Sequence, residues 1–371
     1  MKKHSKHTKL TRRNNGDFGP NELAFLGVKC GVITNLVEVV SKRLHTEAKI
    51  AYADASHGKD NTAPLFDTYT YHSSGDMAIA SDVKRNVFNE RIRFAEYDLV
   101  LVNGNHFPAQ KQVIFLDPEK ESSIEKRMDQ ITDIQFFIKT DETVEIFKSL
   151  REKFPNCKDI PVFDVTDIDA IVGHLKSYIH AQQAELNGLV LIGGKSTRMG
   201  EDKAQLSYYG MPQSDYMVQL LEKQQLDTFV SVRAEQDAKQ HKTITDAFVG
   251  LGPFGAICSA FMKNPNNAYL VLATDLPYVS EALVAQLIAA RNPKKIATAI
   301  KGKSAKFMEP LVTIWEPKAY PILLSYLAQG YSCPRKILIN SDVEIVEVDD
   351  ALIRNVNTPE EYKQVQNELN S

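Results

Sequence analysis

The amino-acid sequence predicts an α/β protein of two domains, each a mostly parallel sheet flanked by helices. Apolar runs of strand type alternate with segments whose apolar residues recur at helical spacing, and the clearest runs lie at 23–26, 98–104, 189–192 and 269–274. The chain has 371 residues, which is long for one domain and comfortable for two. Because the segment at 181–185 lacks the apolar face of a core helix, we predict domains at 22–183 and 186–371.

Residues 1–21 are predicted to form a basic arm outside both domains. Its basic residues are Lys2, Lys3, His4, Lys6, His7, Lys9, Arg12 and Arg13. Charge clusters at chain termini are usually solvated, so we expect a solvated arm rather than one that contacts phosphate. The two histidines have no carboxylate or thiol beside them, which argues against a metal site in the arm.

The predicted N-terminal domain opens as a strand at 23–26, a loop and a helix. The helix places its apolar residues on one face, namely Leu36, Val37, Val40 and Leu44. A second buried strand is predicted at 98–104. Strands that alternate with helices in this way are typical of a parallel sheet.

The loop after the first strand, at 27–34, is predicted to be a degenerate phosphate-binding loop. Gly27 and Thr34 match the ends of the pattern G-x-x-x-x-G-K-[ST]. Val32 and Ile33, however, stand where the pattern requires its second glycine and its lysine. The loop therefore lacks the main cation for the β- and γ-phosphates, and valine hinders the close backbone approach that glycine permits. Lys29 is an alternative source of positive charge.

The predicted C-terminal domain opens with a strand that runs into the loop G-G-K-S-T-R-M-G-E-D-K at 193–203. Gly193 and Gly194 have no Cβ, so the backbone N–H groups of the loop can approach an anion closely. Arg198 and Lys203 add side-chain positive charge. The segment predicts a triphosphate site. Its spacing fits neither the dinucleotide fingerprint G-x-G-x-x-G nor the phosphate loop of ATPases.

An aspartate, Asp275, ends the apolar run at 269–274. In an open α/β sheet, ligands collect at the carboxyl ends of the strands, so this carboxylate is placed where a Mg²⁺ ligand is needed. A lone aspartate after a strand is more often a helix N-cap. Here the Asp-Leu-Pro context and the neighbouring motifs favour the metal ligand.

Three shorter patches follow the same loop along the chain. Asp246 precedes a glycine-proline turn at 250–257, and a strand with the sequence E-P-L-V lies at 309–312. Near the end, Asn355 and Asn357 stand before a capping box that opens the last helix. A surface turn and a helix start are ordinary explanations for two of these patches, but they do not explain the two asparagines.

Together these motifs resemble the molybdenum cofactor guanylyltransferases, within the nucleotidyltransferases that activate sugars, polyols and pterins. Residues 191–203 resemble their signature L-A-G-G-x-S-x-R-M-G-x-D-K, with Ile192 in place of alanine. Arg233 departs from the family, which often has a nucleoside-contacting asparagine there. The resemblance implies a Rossmann-like nucleotidyltransferase fold and a nucleotide site formed by Leu191, Gly193, Gly194, Ser196, Arg198, Lys203, Asp246, Gly252, Pro253 and Asp275.

The resemblance also implies an enzyme, which transfers GMP from GTP to molybdenum-bearing molybdopterin and releases pyrophosphate. An acceptor phosphate oxygen must attack the α-phosphorus, and both reactants are anions, so positioning and positive charge are needed rather than a covalent nucleophile. The implied catalytic residues are Lys203, Arg198 and Asp275, with Mg²⁺ on Asp275 as the cofactor. Asn355 and Asn357 would face the pterin.

Three alternatives share these residues. The chain could transfer CMP to the same pterin, or a nucleotide to a sugar or polyol phosphate, because such enzymes have the same loop and metal-binding aspartate. It could also be a non-catalytic protein that carries the pterin cofactor to a client enzyme. The intact Arg198, Lys203 and Asp275 favour an enzyme.

Residues 22–178 resemble, more diffusely, the small GTP-binding adaptor protein of the same cofactor pathway. The strand at 98–104 resembles its D-L-V-L-V-E-G, with asparagine for glutamate, and the segments at 160–164 and 167–171 resemble its last strand and helix. The implied chain is a fusion of adaptor-like and transferase domains, with other cofactor-synthesis or client enzymes as possible partners. An unrelated α/β domain is the alternative.

The composition limits which binding partners and which cellular compartment are expected. The chain has 44 basic and 47 acidic residues, a net charge of −3, which argues against nucleic acid as the main partner. No apolar run approaches the ~20 residues of a membrane span, and no signal-peptide apolar region follows the basic start, so we expect no membrane association. The four scattered cysteines show no C-x-x-C pair or zinc spacing and indicate reduced thiols in a cytoplasmic protein.

Overall fold

The computed structural model describes residues 10–13, 16–56, 67–74, 77–80, 86–192, 203–236, 238 and 240–370. The described chain divides into two compact units. The N-terminal unit consists of the described residues between 16 and 182. The C-terminal unit consists of residues 10–13 and the described residues from Gln183 onward. None of the described helices is both long and apolar enough to span a membrane.

The N-terminal unit contains eight described strands and five described α-helices. The strands are β1 Glu22–Leu26, β2 Ile50–Ala53, β3 Thr68–Tyr71, β4 Met77–Ala80, β5 Leu99–Asn103, β6 Lys111–Leu116, β7 Ile134–Lys139 and β8 Val162–Asp164. The helices are α1 Cys30–Leu44, α2 Val87–Phe94, α3 Glu121–Lys126, α4 Lys148–Lys153 and α5 Ile168–Ala181. Six strands form a fully parallel sheet in the order β2-β5-β1-β6-β7-β8, and β3 with β4 forms a separate antiparallel hairpin.

The parallel sheet of this unit is buried on both faces. Alternate residues of β1 point to opposite sides, so that Leu23 and Phe25 pack with α1 and α5, whereas Ala24 and Leu26 join a second cluster. Every residue of β1 and β5 is buried, as the apolar runs at 23–26 and 99–102 predict, and the burial includes Glu22 and Asn103 at the strand ends. The two strands predicted at 23–26 and 98–104 are confirmed.

The turn between β1 and α1 is shorter than the predicted loop at 27–34. Only Gly27, Val28 and Lys29 separate the two elements, and Ile33 is a fully buried core residue of α1. The N–H groups of Val32 and Ile33 already donate to the Lys29 carbonyl. The expected extent of the loop is wrong, because residues 30–34 form the first turn of α1, where Ile33 packs into the core in spite of the neighbouring Gly31.

Two parts of the predicted basic arm have different surroundings. Phe18 is buried and its ring lies edge-on to Phe94 and Phe107 in the N-terminal unit, with centroids 5.8 and 5.5 Å away. In the C-terminal unit, Arg13 donates to the Pro317 carbonyl, and burial lowers the pKa of this guanidinium to about 10. The expectation of a solvated arm is therefore wrong for Arg13.

The C-terminal unit contains seven described strands and six described α-helices. The strands are β9 Leu186–Leu191, β10 Asp227–Val232, β11 Thr243–Thr245, β12 Ala268–Ala273, β13 Ala297–Gly302, β14 Glu309–Trp315 and β15 Val343–Val348. The helices are α6 Gln213–Lys223, α7 Pro253–Lys263, α8 Glu281–Ala289, α9 Ala319–Ala328, α10 Pro334–Ile339 and α11 Pro359–Asn370.

The sheet of the C-terminal unit has the order β11-β10-β9-β12-β14-β13-β15, and only β14 runs antiparallel to its neighbours. Two buried apolar clusters cover its faces, one containing residues of α6 and α8 and the other residues of α7, α9 and α10. Both units thus confirm the predicted α/β class with mostly parallel sheets flanked by helices.

Candidate functional site

Three neighbouring parallel strands of the C-terminal unit end at the same edge of the sheet. Leu191, at the end of β9, pairs with Ser231 of β10 on one side and with Ala273 of β12 on the other. The same edge of the sheet therefore carries the segment after β9, Arg233 after β10 and Asp275 after β12. Gly193, Gly194, Ser196 and Arg198 lie outside the described residues, whereas the end of the predicted loop, Lys203, lies within them.

Lys203 is the centre of a charged cluster at this edge. Its Nζ donates to Asn357 Oδ1 at 2.8 Å and lies 3.8 Å from Asp275 Oδ2. The side chains of Lys203 and Asp275 are 19% and 25% exposed, which leaves both accessible to a ligand. Three residues predicted for the site from distant parts of the sequence thus lie in contact.

The backbone holds this arrangement in place. The N–H of Val356 donates to the Asp275 carbonyl at 2.9 Å, which ties the segment before α11 to the end of β12. The N–H groups of Asn357 and Thr358 both donate to the Glu361 carboxylate, and the N–H of Glu361 donates back to the Thr358 hydroxyl. The predicted capping box is confirmed, and it fixes the backbone that presents Asn357 to Lys203.

Asp275 carries one oxygen that the described residues do not satisfy. Its Oδ1 is buried and has no hydrogen-bond partner among them. Burial raises the pKa of Asp275, and the nearby Lys203 ammonium offsets part of that shift. A buried carboxylate oxygen of this kind is costly unless a cation or donor completes it.

A second carboxylate, Glu309, adds negative charge near Asp275. Burial raises its pKa, and the charge of Asp275 is a further cause in the same direction. Its oxygens are already used, since Oε1 accepts the Leu311 N–H at 3.1 Å and Oε2 accepts Arg335 at 3.2 Å. Among the described residues no group of three metal-ligating side chains occurs, so the site offers a single free carboxylate oxygen rather than a closed metal cage.

The predicted nucleoside side of the site lies beside β10. Asp246 accepts a hydrogen bond from the Ser231 hydroxyl. Burial raises the pKa of Asp246, while Ser231 and Arg233 act to lower it. Gly252 adopts φ of +58° and is the N-cap of α7, with Pro253 as its first residue. That backbone conformation explains the glycine-proline pair, because L side chains rarely adopt it.

The sequence pattern identified Arg233 only as a departure from the family and did not identify Gln236. Gln236 Oε1 accepts the Arg233 N–H at 2.9 Å, and its Nε2 donates to the Ile192 carbonyl at 3.3 Å. Gln236 thus links the ends of β9 and β10. The Arg233 Nε lies 3.3 Å from Glu235, and its charge acts on Asp246. No motif spacing signals either residue, because their roles depend on strand pairing.

The two predicted acceptor-binding asparagines differ in their surroundings. Asn357 accepts the Lys203 hydrogen bond and so belongs to the charged cluster. Asn355, two residues earlier in the chain, is exposed. Their proposed contact with a pterin stays a prediction.

Residues 188–344 match the MobA-like NTP transferase domain. The chain is similar to the molybdenum cofactor biosynthesis bifunctional protein of a Synechocystis species, with 35% identity over 188 residues, or 49% of this chain and 54% of that protein. It therefore spans about half the length of that relative.

Two further relatives are shorter proteins, which this chain covers more fully. The probable molybdenum cofactor guanylyltransferase of Opitutus terrae is 33% identical over 156 residues, which are 40% of this chain and 76% of that protein. The molybdenum cofactor guanylyltransferase of Vibrio atlanticus is 28% identical over 186 residues, which are 47% of this chain and 93% of that protein.

Proposed function

The chain belongs to the MobA-like NTP transferase family, and from this premise we propose that it transfers GMP from GTP to molybdenum-bearing molybdopterin. The observation that carries the proposal is the contact of Lys203 with Asn357 and Asp275 at the carboxyl edge of the sheet. The names of the relatives from Opitutus terrae and Vibrio atlanticus supply the nucleotide and the cofactor.

The reaction joins two anions. A phosphate oxygen of the acceptor attacks the α-phosphorus of the nucleotide, a new P–O bond forms, and the bond to pyrophosphate breaks. Lys203, with Arg198 from the preceding loop, would hold the triphosphate and accept the growing charge of the leaving pyrophosphate. Because the ammonium of Lys203 is fixed by Asn357 and Asp275, little reorganisation is needed when the nucleotide arrives.

Asp275 fits the needs of a magnesium ligand. Its buried Oδ1 has no hydrogen-bond partner in the part of the chain that the structure describes, and Mg²⁺ commonly takes one or two carboxylates and completes its shell with water and substrate phosphates. When bound, Mg²⁺ would neutralise triphosphate charge. The negative charge of Glu309, held nearby by Arg335, would add to the attraction of this edge for a cation.

The other predicted residues divide between the two substrates. Asp246, Arg233 and the turn at Gly252 would contact the nucleoside, and Leu191 with the loop amides would line its phosphates. A guanidinium and a carboxylate together complement guanine, which has acceptors on one edge and N–H donors on the next. Asn355 would be the exposed contact to the pterin, with Asn357 shared between acceptor and Lys203.

The decisive experiment is pyrophosphate release by the purified full chain with Mg²⁺, molybdenum-bearing molybdopterin and each of GTP, CTP, ATP and UTP. Release with GTP that requires the pterin supports the proposal. Faster release with CTP would indicate a cytidylyltransferase, and release without pterin but with a sugar phosphate would indicate another acceptor. Binding of the pterin with no release for any nucleotide would indicate a carrier protein.

A further inference from the structure

The N-terminal unit has a second cluster of reactive side chains, which the proposed transfer does not use. Cys30 begins α1 just after β1, Asp54 follows β2, and His106 follows β5. The strand β5 lies between β1 and β2 and is parallel to both, so the three carboxyl ends meet at one edge. Ligands of open parallel sheets bind at this edge.

The three side chains are in contact. Cys30 Sγ lies 3.2 Å from His106 Nε2, and the same Nε2 lies 3.8 Å from Asp54 Oδ1. Asn105 Nδ2 donates to the Cys30 sulfur at 3.6 Å and to the Val28 carbonyl at 2.8 Å. Cys30 is half-buried, and the His106 and Asp54 side chains are 20% and 26% exposed, so a small molecule can reach the sulfur.

The neighbours of Cys30 can remove its proton and contact its sulfur. His106 can take the thiol proton, and Asn105 donates a hydrogen bond to the sulfur. Cys30 is also the first residue of a 15-residue helix, where the N–H groups and the helix dipole stabilise a negative charge.

Asp54 is positioned to stabilise a protonated His106. Burial alone would raise the pKa of Asp54, but hydrogen bonds from Asn103, Tyr52 and the Ala55 N–H, with the charge of His106, hold it below the usual range. Burial is also the main cause that raises the pKa of Tyr52 to about 12, so its hydroxyl stays neutral and donates to Asp54 at 2.8 Å.

Two further charged groups stand next to the cluster, and both have partners. Lys29 lies 3.9 Å from Glu119, and Arg127 donates to the Asn105 carbonyl at 3.1 Å. Asp54, whose Oδ1 lies 3.8 Å from His106 Nε2, is a charged group that faces the imidazole directly.

We propose that Cys30, His106 and Asp54 form a thiol–disulfide exchange site for a small disulfide. His106 accepts the proton of the Cys30 thiol, and the thiolate attacks one sulfur of the disulfide. A new S–S bond forms to Cys30, the original S–S bond breaks, and the leaving thiolate takes the proton back from His106. The disulfide is the oxidant, and the products are a mixed disulfide on Cys30 and one free thiol. Cys157 is buried, so the adduct carries the external thiol.

The exposed Cys333 provides an internal comparison within the same chain. Cys157 and Cys258 are buried, so Cys30 and Cys333 are the two accessible cysteines. We compare the full-length variants Cys333→Ser, which reports Cys30, and Cys30→Ser, which reports Cys333. The probe is dithiodipyridine, whose thione product is read by absorbance, and the second-order rate is measured from pH 5.5 to 9.

We expect Cys30 to react about tenfold faster than Cys333 at pH 6.5 and at a similar rate at pH 9. The reason is that His106 Nε2, 3.2 Å from Cys30 Sγ, can take the thiol proton at pH 6.5, whereas a nearby base gives little advantage at high pH. In the Cys333→Ser background, His106→Gln should remove this about tenfold advantage, and Asp54→Asn should reduce it.

Equal rates of the two cysteines across the pH range would overturn the proposal. So would an unchanged Cys30 rate profile in a folded His106→Gln variant. If that variant does not fold, the comparison of Cys333→Ser with Cys30→Ser decides by itself, because it uses no change in His106 or Asp54.

Discussion

Both units begin with a buried strand that is followed by glycine at the carboxyl edge of a parallel sheet, but the two edges carry different chemistry. In the N-terminal unit α1 begins three residues after β1, and the N–H groups of Val32 and Ile33 are bonded inside that helix. In the C-terminal unit the next described element after β9 begins only at Lys203.

The residues after the two strands explain the difference. In the N-terminal unit the N–H groups of Val32 and Ile33, which stand at the glycine and lysine positions of a phosphate loop, are bonded to the Lys29 carbonyl, whereas the glycine-rich sequence at 193–203 is predicted to turn its N–H groups toward phosphate oxygens. The N-terminal edge instead presents a thiol and an imidazole, and the C-terminal edge presents an ammonium and a carboxylate. Similar topology therefore does not imply a similar ligand.

The largest effect should come from Asp275→Asn. The amide keeps the shape of the side chain but removes the anionic oxygen that fits Mg²⁺, so we expect pyrophosphate release to fall below detection. The matched control is Asp342→Asn, an exposed aspartate paired with Lys295 at 3.0 Å, which should retain activity. Normal turnover of Asp275→Asn at saturating Mg²⁺ would refute its role as the metal ligand.

A smaller loss is expected for Lys203→Ala and for Arg198→Ala. Each removes one cation from the triphosphate site, and hydrogen bonds to charged groups contribute about 1.5–3 kcal/mol, which corresponds to a roughly tenfold to hundredfold loss in kcat/KM. Lys223→Ala, which removes an exposed lysine paired with Glu281, should have no effect. If Lys203→Ala and Arg198→Ala both matched the wild-type rate and GTP affinity, the loop would have a structural role only.

Arg233→Ala should change nucleotide choice more than turnover. The guanidinium lies beside Asp246 on the proposed nucleoside side, so its loss should raise KM for GTP roughly tenfold and leave kcat at saturation nearly unchanged. Glu235→Ala, which removes its ion-pair partner, is the control for local disturbance. A fall in kcat of the same size as the expected rise in KM, with KM for GTP unchanged, would place Arg233 at the phosphates instead.

The Asp275→Asn variant should also be more stable than the wild-type protein at neutral pH. Burial raises the folded-state pKa of Asp275 above its ordinary 3.8. The carboxyl group therefore contributes to the free energy of unfolding in full below pH 3.8, and this contribution is lost as the pH rises through the raised pKa. At pH 7 the buried carboxylate is a cost that the amide removes. A gain on the order of 1 kcal/mol would raise the Tm by about 2–4 °C at pH 7, and the gain should shrink toward pH 4. The predicted direction would be contradicted if the Tm of Asp275→Asn minus that of the wild type were smaller at pH 7 than at pH 4.

Much of the fold could be predicted because its central strands contain uninterrupted apolar runs of three to six residues. The strands β1, β5, β9 and β12 contain the predicted runs, and nearly all of their residues are buried. The start of α1 could not be predicted from motif spacing, since the alignment to a phosphate loop assigned residues 30–34 to the loop. These residues are poor helix formers, and it is the burial of Ile33 in the core that favours a helix there.

Sequence motifs named Lys203, Asp275 and Asn357, which the structure brings into contact, and their roles in a nucleotide site stay predictions. Residues that depend on strand pairing were not named. Gln236 joins two strand ends, and Cys30 and His106 lie 76 positions apart in the sequence. No ligand spacing along the chain can identify such a pair, because only the parallel register of β1 with β5 brings the two side chains together.

The smallest expected effect concerns GTP binding by the N-terminal unit. Its short turn and the replacement of the loop glycine and lysine by Val32 and Ile33 leave no phosphate cradle, so calorimetry of the full chain with GTP and Mg²⁺ should give one site per chain. Lys29, the one cation within this turn, has a side chain 70% exposed and lies 3.9 Å from Glu119, an arrangement that contributes little to holding an anion. Lys29→Ala should therefore leave the stoichiometry and the affinity unchanged, whereas Lys203→Ala should weaken the single site. Two sites per chain, one of them lost in Lys29→Ala, would show that the N-terminal edge binds nucleotide after all and that the residues after the two strands do not separate the two edges.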